Sequence, residues 1–202
     1  MATITRPRIG PADHGRRMKL TDFIRADFED GWRYELARGV VEVTDVPGVP
    51  HAQIVDRISD LFAYYKRDHP GVIVLKAGSG ECRLRLPGMQ SDRHPDQAIY
   101  LSSPPPGLKP WTRWVPDIVV EVVSRRGEDR DYVEKREEYL RAGVREYWIL
   151  DPIKRRMLVL QRAGDVWRER VVKADVAYRT RLLPGLVVRP SELLDPPENR
   201  GR

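Results

Sequence analysis

The amino-acid sequence predicts an α/β protein in which helices pack on a mixed central sheet. The predicted elements run helix, several strands, helix, several strands, an order typical of a sheet covered by helices. Residues 115–124, VPDIVVEVVS, hold five valines and one isoleucine, which favour a pleated strand. Both faces of this strand are apolar, so we expect it to lie at the centre of the sheet, covered on two sides. A chain of 202 residues is long enough for one domain with a core.

The first half of the chain contains one clear helix and several short strands. Residues 1–18 are predicted to be a flexible basic arm, because the first 20 residues carry five Lys or Arg against one Asp. Thr21 is a candidate N-cap of a short helix, and residues 33–43 are predicted to form a hairpin that turns near Gly39. Apolar residues recur at helical spacing over residues 51–69. Three short strands are predicted over residues 72–78, 81–87 and 96–101.

The second half repeats this order after the valine-rich strand. A helix is predicted to end at Gly143, and a buried strand is predicted to follow it and to end before Pro152. This helix covers residues 128–143 and this strand covers 145–151. A hairpin over 155–173 and a strand with a short helix over 182–195 are predicted to follow. We expect a single domain over residues 19–195 and a C-terminal tail over 196–202.

Glu121 is unexpected in a strand that is apolar on both faces. Side chains alternate along a strand, so Glu121 shares a face with Val119 and Val123. An unpaired, ionised carboxylate buried there costs several kcal/mol or takes up a proton. Three explanations are open: Glu121 pairs with a base, binds a metal, or is not buried.

A second acid, Asp96, begins a predicted strand in the segment HPDQAIYL. If this strand lies next to the one that carries Glu121, the two carboxylates converge and need a cation between them. Oxygen ligands of this kind suit Mg²⁺ or Mn²⁺. For Asp96 alone, a turn or a strand cap is the simpler interpretation.

Lys135, Glu35 and His51 are further candidates for the same site. Asp131, Lys135 and Tyr139 follow at i, i+4 and i+8 and line one helix face, so Lys135 can reach Glu121. Spacing alone favours a salt bridge on a solvated face instead. Glu35 lies beside a predicted strand, and His51, which opens the long helix, is more often structural than a ligand at such a position.

Composition excludes several classes of protein. No apolar run approaches the roughly 20 residues of a membrane helix, and no signal-peptide pattern is present. Cys82 is the single cysteine, so a disulfide framework and a cysteine-based zinc site are excluded, and a cytoplasmic location is expected. The net charge of +6 is compatible with contact to phosphates.

Several segments, in this order, resemble the Uma two family of the PD-(D/E)XK nuclease superfamily. They are YELARGVVEV, PHAQIVDRISDLF, HPDQAIYL, VPDIVVEVVS, RDYVEKREEYLRAGVREYWILDP and LLPGLVV, and the resemblance spans residues 19–195. The resemblance implies a restriction-endonuclease-like fold with a mixed central sheet flanked by helices.

The resemblance also implies a site. Asp96 and Glu121 match the two metal-binding acids, and the backbone carbonyl of Val122 is a third expected ligand of Mg²⁺ or Mn²⁺. Val123 stands where the family motif has lysine, and Lys135 is the candidate replacement from the next helix. Glu35 matches an auxiliary acid, and His51 matches a family position without an assigned role. The expected activity is hydrolysis of DNA to a 5′-phosphate and a 3′-hydroxyl.

Two alternatives remain open, since a fold does not fix a function. Val123 favours a nucleic-acid-binding protein that kept the fold and lost the chemistry. An enzyme acting on RNA or on a nucleotide is the other alternative. We also expect a homodimer, because nucleases that cut both strands are often symmetric. No module that reads bases is present, so sequence-specific cleavage is not predicted.

Overall fold

A computed structural model of the protein describes residues 6–107, 113–124 and 130–195. Within these residues the strands are β1 (Arg8–Ile9), β2 (Asp27–Phe28), β3 (Trp32–Ala37), β4 (Val40–Asp45), β5 (Leu75–Gly78), β6 (Leu84–Leu86), β7 (Ser91–Arg93), β8 (Gln97–Tyr100), β9 (Ile118–Val122), β10 (Glu146–Asp151), β11 (Arg156–Ala163) and β12 (Val166–Lys173). The helices are α1 (Leu20–Phe23), α2 (Val49–Asp68), α3 (Lys135–Ala142) and α4 (Pro190–Leu194), and a π-helical turn, Arg130–Glu134, leads directly into α3.

The larger sheet has six strands in the order β12-β11-β10-β9-β8-β5. β9 and β10 are parallel, whereas the other neighbours are antiparallel. A smaller antiparallel sheet has the order β4-β3-β7-β6. The predicted mixed α/β fold is confirmed, and β9 is an interior strand of the larger sheet.

The two faces of β9 pack against different apolar clusters. Ile118, Val120 and Val122 lie in one cluster with α2 residues such as Phe62. On the opposite face, Val119 and Val123 pack in a second cluster with Tyr139 of α3. Alternate side chains of β9 therefore pack on opposite faces of the sheet, and the strand is covered on both sides as predicted.

The predicted hairpin and long helix are confirmed. β3 and β4 form the hairpin, and Arg38 and Gly39 at its turn both have positive φ angles, 49° and 78°. The long helix α2 turns Ile54, Ile58 and Phe62 towards the core. In the described part of the chain, no helix combines the length and apolar character needed to cross a membrane.

The N-terminal region differs from the prediction of a flexible arm. From Arg6 onward it follows the body of the protein, and β1 pairs in parallel with β2. Ile9 is fully buried and packs in a cluster with Phe23 and Leu36. One buried isoleucine therefore ties down a segment whose basic composition pointed to a solvated arm. Residues 1–5 lie outside the described residues.

The prediction that Thr21 caps the first helix is wrong, since α1 begins at Leu20 and Lys19 occupies the N-cap position. The side-chain oxygen of Gln90 accepts a hydrogen bond from the Leu20 backbone N–H at 3.0 Å. A residue 70 positions away therefore satisfies a donor that a local cap usually satisfies, and local sequence cannot show this.

The predicted strand over residues 182–188 is replaced by a turn. Gly185 has a φ of 91°, and the Leu186 N–H donates to the Leu183 carbonyl at 3.0 Å. Only Val188 makes a bridge, to Tyr178. The apolar residues that suggested a strand still pack in the core, and α4 follows as predicted. The predicted tail, residues 196–202, lies outside the described residues.

Candidate active site

Asp96 lies directly before β8 and is bonded to the end of β9. Its Oδ2 accepts a hydrogen bond from the Val122 backbone N–H at 2.9 Å. β8 and β9 pair antiparallel with Gln97 opposite Val120, which places Asp96 beside the Glu121–Val122 end of β9. The strands that carry the two acids are therefore neighbours, as the convergence hypothesis required.

Two basic groups contact Asp96. His51 Nε2, from the first turn of α2, lies 3.2 Å from Asp96 Oδ2, and Arg33 Nη1 of β3 lies 3.5 Å from Oδ1. Burial raises the pKa of Asp96, but His51 and Arg33 outweigh this effect and hold the pKa below its ordinary value. Asp96 is therefore ionised at neutral pH.

Glu121 is buried, and two side chains of the following helix contact one of its oxygens. Lys135 Nζ lies 2.8 Å from Glu121 Oε1, and the Tyr139 hydroxyl donates to the same oxygen at 2.6 Å. Of the three explanations for a carboxylate in this strand, the structure shows burial with a basic partner. The metal explanation is compatible with this geometry.

Lys135 is 3% exposed, so the solvated-face interpretation of this residue is wrong. Its Nζ lies 3.2 Å from Asp131 Oδ1 and 3.9 Å from Glu35 Oε1, in addition to Glu121. The stripe of Asp131, Lys135 and Tyr139 therefore faces inward. Lys135 with Glu121, Asp131 and Glu35 is called the Lys135 cluster below.

Glu35 of β3 is held in place by two contacts within the smaller sheet. Its Oε1 accepts a hydrogen bond from the His94 backbone N–H at 2.8 Å, and its Oε2 lies 3.2 Å from Arg93 Nη1. Burial raises the pKa of Glu35, but Lys135 and Arg93 outweigh burial and lower it well below its ordinary value. Glu35 is therefore a fixed negative charge between the two sheets.

Sequence reasoning missed Arg93, which is fully buried in β7. Four glutamates surround it: Glu138 and Glu42 at 2.6 Å, Glu35 at 3.2 Å and Glu134 at 3.4 Å. This group is called the Arg93 cluster below. Its residues come from β3, β4, β7, the π-helical turn and α3, so it joins the smaller sheet to the helix that carries Lys135. The polar triplet Ser-Asp-Arg gave no strand signal.

Electrostatics distinguish the members of the Lys135 cluster. Burial raises the pKa of Glu121 to about 7, with Lys135 opposing the shift and Asp96 adding to it. Burial also raises the pKa of Asp131, against Lys135. For Lys135 burial acts in the lowering direction, but Glu121 and the other acids outweigh it and raise the pKa. The lysine therefore stays charged among the three acids around it.

These groups meet at a cavity of about 720 Å³. Its wall includes Asp96, Glu121 and Lys135, so the three residues that sequence analysis placed in one site line a common cavity. Glu35 and His51, the auxiliary candidates, line it too. Three lining residues that we did not predict as site residues are Arg33, Asp131 and Arg130. The helical stripe of the sequence contained a signal for Asp131, whereas Arg33 and Arg130 had none.

The oxygen donors at this cavity suit a hard divalent cation. Among the described residues, no group of three or more His, Cys, Asp or Glu side chains is arranged to hold a metal. Asp96, Glu121 and the Val122 backbone carbonyl supply two carboxylates and one carbonyl, and Mg²⁺ keeps several waters beside such ligands. The residues present therefore fit the cation that the resemblance implies.

A solved structure from Anabaena variabilis ATCC 29413, described as that of "a putative nuclease belonging to DUF820", has the same fold. The TM-score is 0.71 at 15% sequence identity, and the match covers 88% of this chain and 97% of that chain. The mixed sheet, its flanking helices and this match define a restriction-endonuclease-like fold.

The chain belongs to the Uma2 family, described as "Putative restriction endonuclease", which matches residues 20–191. The resemblance noted in the sequence is thereby confirmed. No curated protein matches the chain significantly.

Proposed function

We propose that the protein is a divalent-metal-dependent endonuclease that hydrolyses DNA phosphodiester bonds. The observation that carries the proposal is the meeting of Asp96, Glu121 and Lys135 at one cavity. The family and the net charge of +6 support a phosphodiester substrate. Asp96, Glu121 and the Val122 carbonyl would hold Mg²⁺ or Mn²⁺, which when bound polarises a phosphate oxygen and acidifies a water ligand.

The protein's own groups act on the charge of the phosphate. Lys135 stays protonated beside Glu121 and lines the cavity, so its ammonium group can stabilise the negative charge that grows in the transition state. Arg33 and Arg130 line the same cavity and can orient the phosphate through charge-assisted hydrogen bonds. Hydrolysis that breaks the P–O3′ bond leaves a 5′-phosphate and a 3′-hydroxyl.

An impaired, binding-only protein is the second candidate, and Val123 was its support. Val123 is buried in the apolar cluster beside α3, on the same face of β9 as Glu121. Lys135 Nζ instead lies 2.8 Å from Glu121 Oε1. This contact supports a lysine supplied by the helix and favours the enzyme over the inactive binder.

Plasmid nicking in Mg²⁺ or Mn²⁺ tests the proposal. Wild type is expected to nick DNA, and Glu121→Ala and Lys135→Ala are expected to lose this activity. Lys173→Ala, at an exposed lysine of β12, is the matched control and should nick like wild type. Nicking that persists in Glu121→Ala, or without divalent metal, would contradict the proposal. Cleavage of RNA but not of DNA would show that the substrate is RNA. A homodimer and a cytoplasmic location stay predictions.

A further inference from the structure

A second cavity, of about 680 Å³, adjoins the active-site cavity. The two cavities share Trp32, Arg33, Glu35, His51 and Asp96 in their walls. The part of the second cavity that is lined by Tyr34, Arg83, His94 and Gln97 is called the side pocket. The shared residue Trp32 lies at its rim. Its volume lies in the range of small-molecule sites.

Three buried polar atoms in the side pocket have no hydrogen-bond partner among the described residues. They are the Tyr34 hydroxyl, His94 Nε2 and Gln97 Oε1, and His94 Nε2 comes no closer than 3.9 Å to Asp92 Oδ1 in its ion pair. At least nine in ten buried polar groups in proteins are paired. These atoms are enclosed by protein, so they belong to the polar wall behind the side pocket and not to its open surface.

Aromatic rings form a second feature of the side pocket. Trp32 is 39% exposed although it is a large apolar residue, and it lies where the two cavities join. Phe28 and Tyr34 pack with ring centroids 5.0 Å apart and form another part of the wall. An exposed aromatic ring at the edge of a cavity suits a planar heterocycle, which stacks on its face.

Two arginines place positive charge at the wall of the side pocket. Arg83 lines the side pocket, and Arg33 lines both cavities while contacting Asp96. A cation at the junction suits a phosphate that joins a nucleotide in the side pocket to the one at the acids. The exposed aromatic ring and the arginines are two independent features that suit a nucleotide.

We propose that the side pocket binds an unpaired nucleobase of the nucleic-acid substrate, next to the phosphate that lies at Asp96 and Glu121. The inference rests on the proposed function and adds a substrate class to it. A paired base is stacked inside the duplex and reaches a pocket only when it is unpaired or extruded. The preferred substrate is therefore single-stranded DNA or a duplex with an unpaired base.

Binding without metal tests this inference separately from cleavage. A DNA single strand carrying a fluorescent adenine analogue is titrated with protein in EDTA, and stacking on Trp32 is expected to quench the analogue. Trp32→Ala should weaken binding about 5- to 100-fold, whereas Trp32→Phe should keep most of the quenching. Tyr64→Ala, at an exposed aromatic residue of α2, is the matched control and should behave as wild type.

Two results would overturn the inference. One is equal binding of the strand and of the same strand with an abasic site in place of the analogue, because binding would then depend on phosphates alone. The other is unchanged quenching in Trp32→Ala. Cleavage of single-stranded DNA by wild type and Trp32→Ala at equal rates would also contradict the pocket while leaving the nuclease intact. Quenching without any cleavage would contradict the proposed function and keep the pocket.

Discussion

The Arg93 cluster and the Lys135 cluster use the same chemistry for different ends. Each places one buried cation among several acids, and Glu35 belongs to both. Arg93 lines neither of the two cavities described above, and four glutamates surround its guanidinium. Lys135 lines the active-site cavity, together with Asp96. A buried ion pair is therefore a poor marker of a site by itself, whereas an acid-rich pair at a cavity is a good one.

Glu121→Gln should have the largest effect on activity. Loss of a charged group at the reacting centre is expected to lower kcat about 1000-fold or more. The free energy of unfolding at pH 8 should not fall, because burial raises the pKa of Glu121 to about 7 and the ionised form is the costly one. Nicking rates and urea denaturation, with Glu169→Gln at an exposed glutamate as control, measure both. A destabilised but active variant would reverse the roles that we assign to the clusters.

Arg93→Met should mainly affect stability. It leaves four glutamates without their common cation, and breaking a buried pair from one side costs about 3–5 kcal/mol. Denaturation is the measurement, and Arg168→Met, at an exposed arginine of β12, is the control with the same change of charge. If Arg93→Met unfolds at the same urea concentration as wild type, the Arg93 cluster does not hold the smaller sheet to α3.

Lys135→Met is expected to lower the nicking rate about 100-fold through loss of one stabilising charge. Lys135→Arg keeps the charge and should recover part of the rate. Because Lys135 also neutralises Glu121 and Asp131, the optimum pH for stability of Lys135→Met should move to lower pH. Rate and thermal stability measured on the same samples check this. A variant with full activity would show that another group stabilises the transition state.

Asp92→Asn should change stability only above acidic pH. Burial raises the pKa of Asp92 to about 6, against the opposing charges of Arg83 and Arg85. The stability that this carboxyl contributes is present below its unfolded pKa of about 4 and is lost as the pH rises through 6. At pH 8 the variant should therefore be more stable by on the order of 2 kcal/mol, and at pH 4 no more stable. Denaturation at both values, with exposed Asp60→Asn as control, tests the sign.

The sequence was sufficient for the central strand, and it named Asp96, Glu121 and Lys135, which line one cavity of the candidate site. The valine-rich pattern predicted β9 and both of its faces, and the helical stripe placed Asp131 and Lys135 on one face. The sequence could not show whether that helix face points to the core or to solvent, because Lys135 pairs with Glu121 of β9. The Arg93 cluster could not be predicted from the sequence for a related reason. Its acids are scattered along the chain, and buried charged residues follow no local sequence pattern.

Calorimetric titration with Mn²⁺ tests the central proposal most directly, namely that Asp96 and Glu121 form a metal site and the Arg93 cluster does not. Wild type is expected to bind Mn²⁺, Asp96→Asn and Glu121→Gln to lose binding, and Glu42→Gln, in the Arg93 cluster, to keep it. Binding that survives in Glu121→Gln, or that is lost in Glu42→Gln while the protein stays folded, would contradict the account.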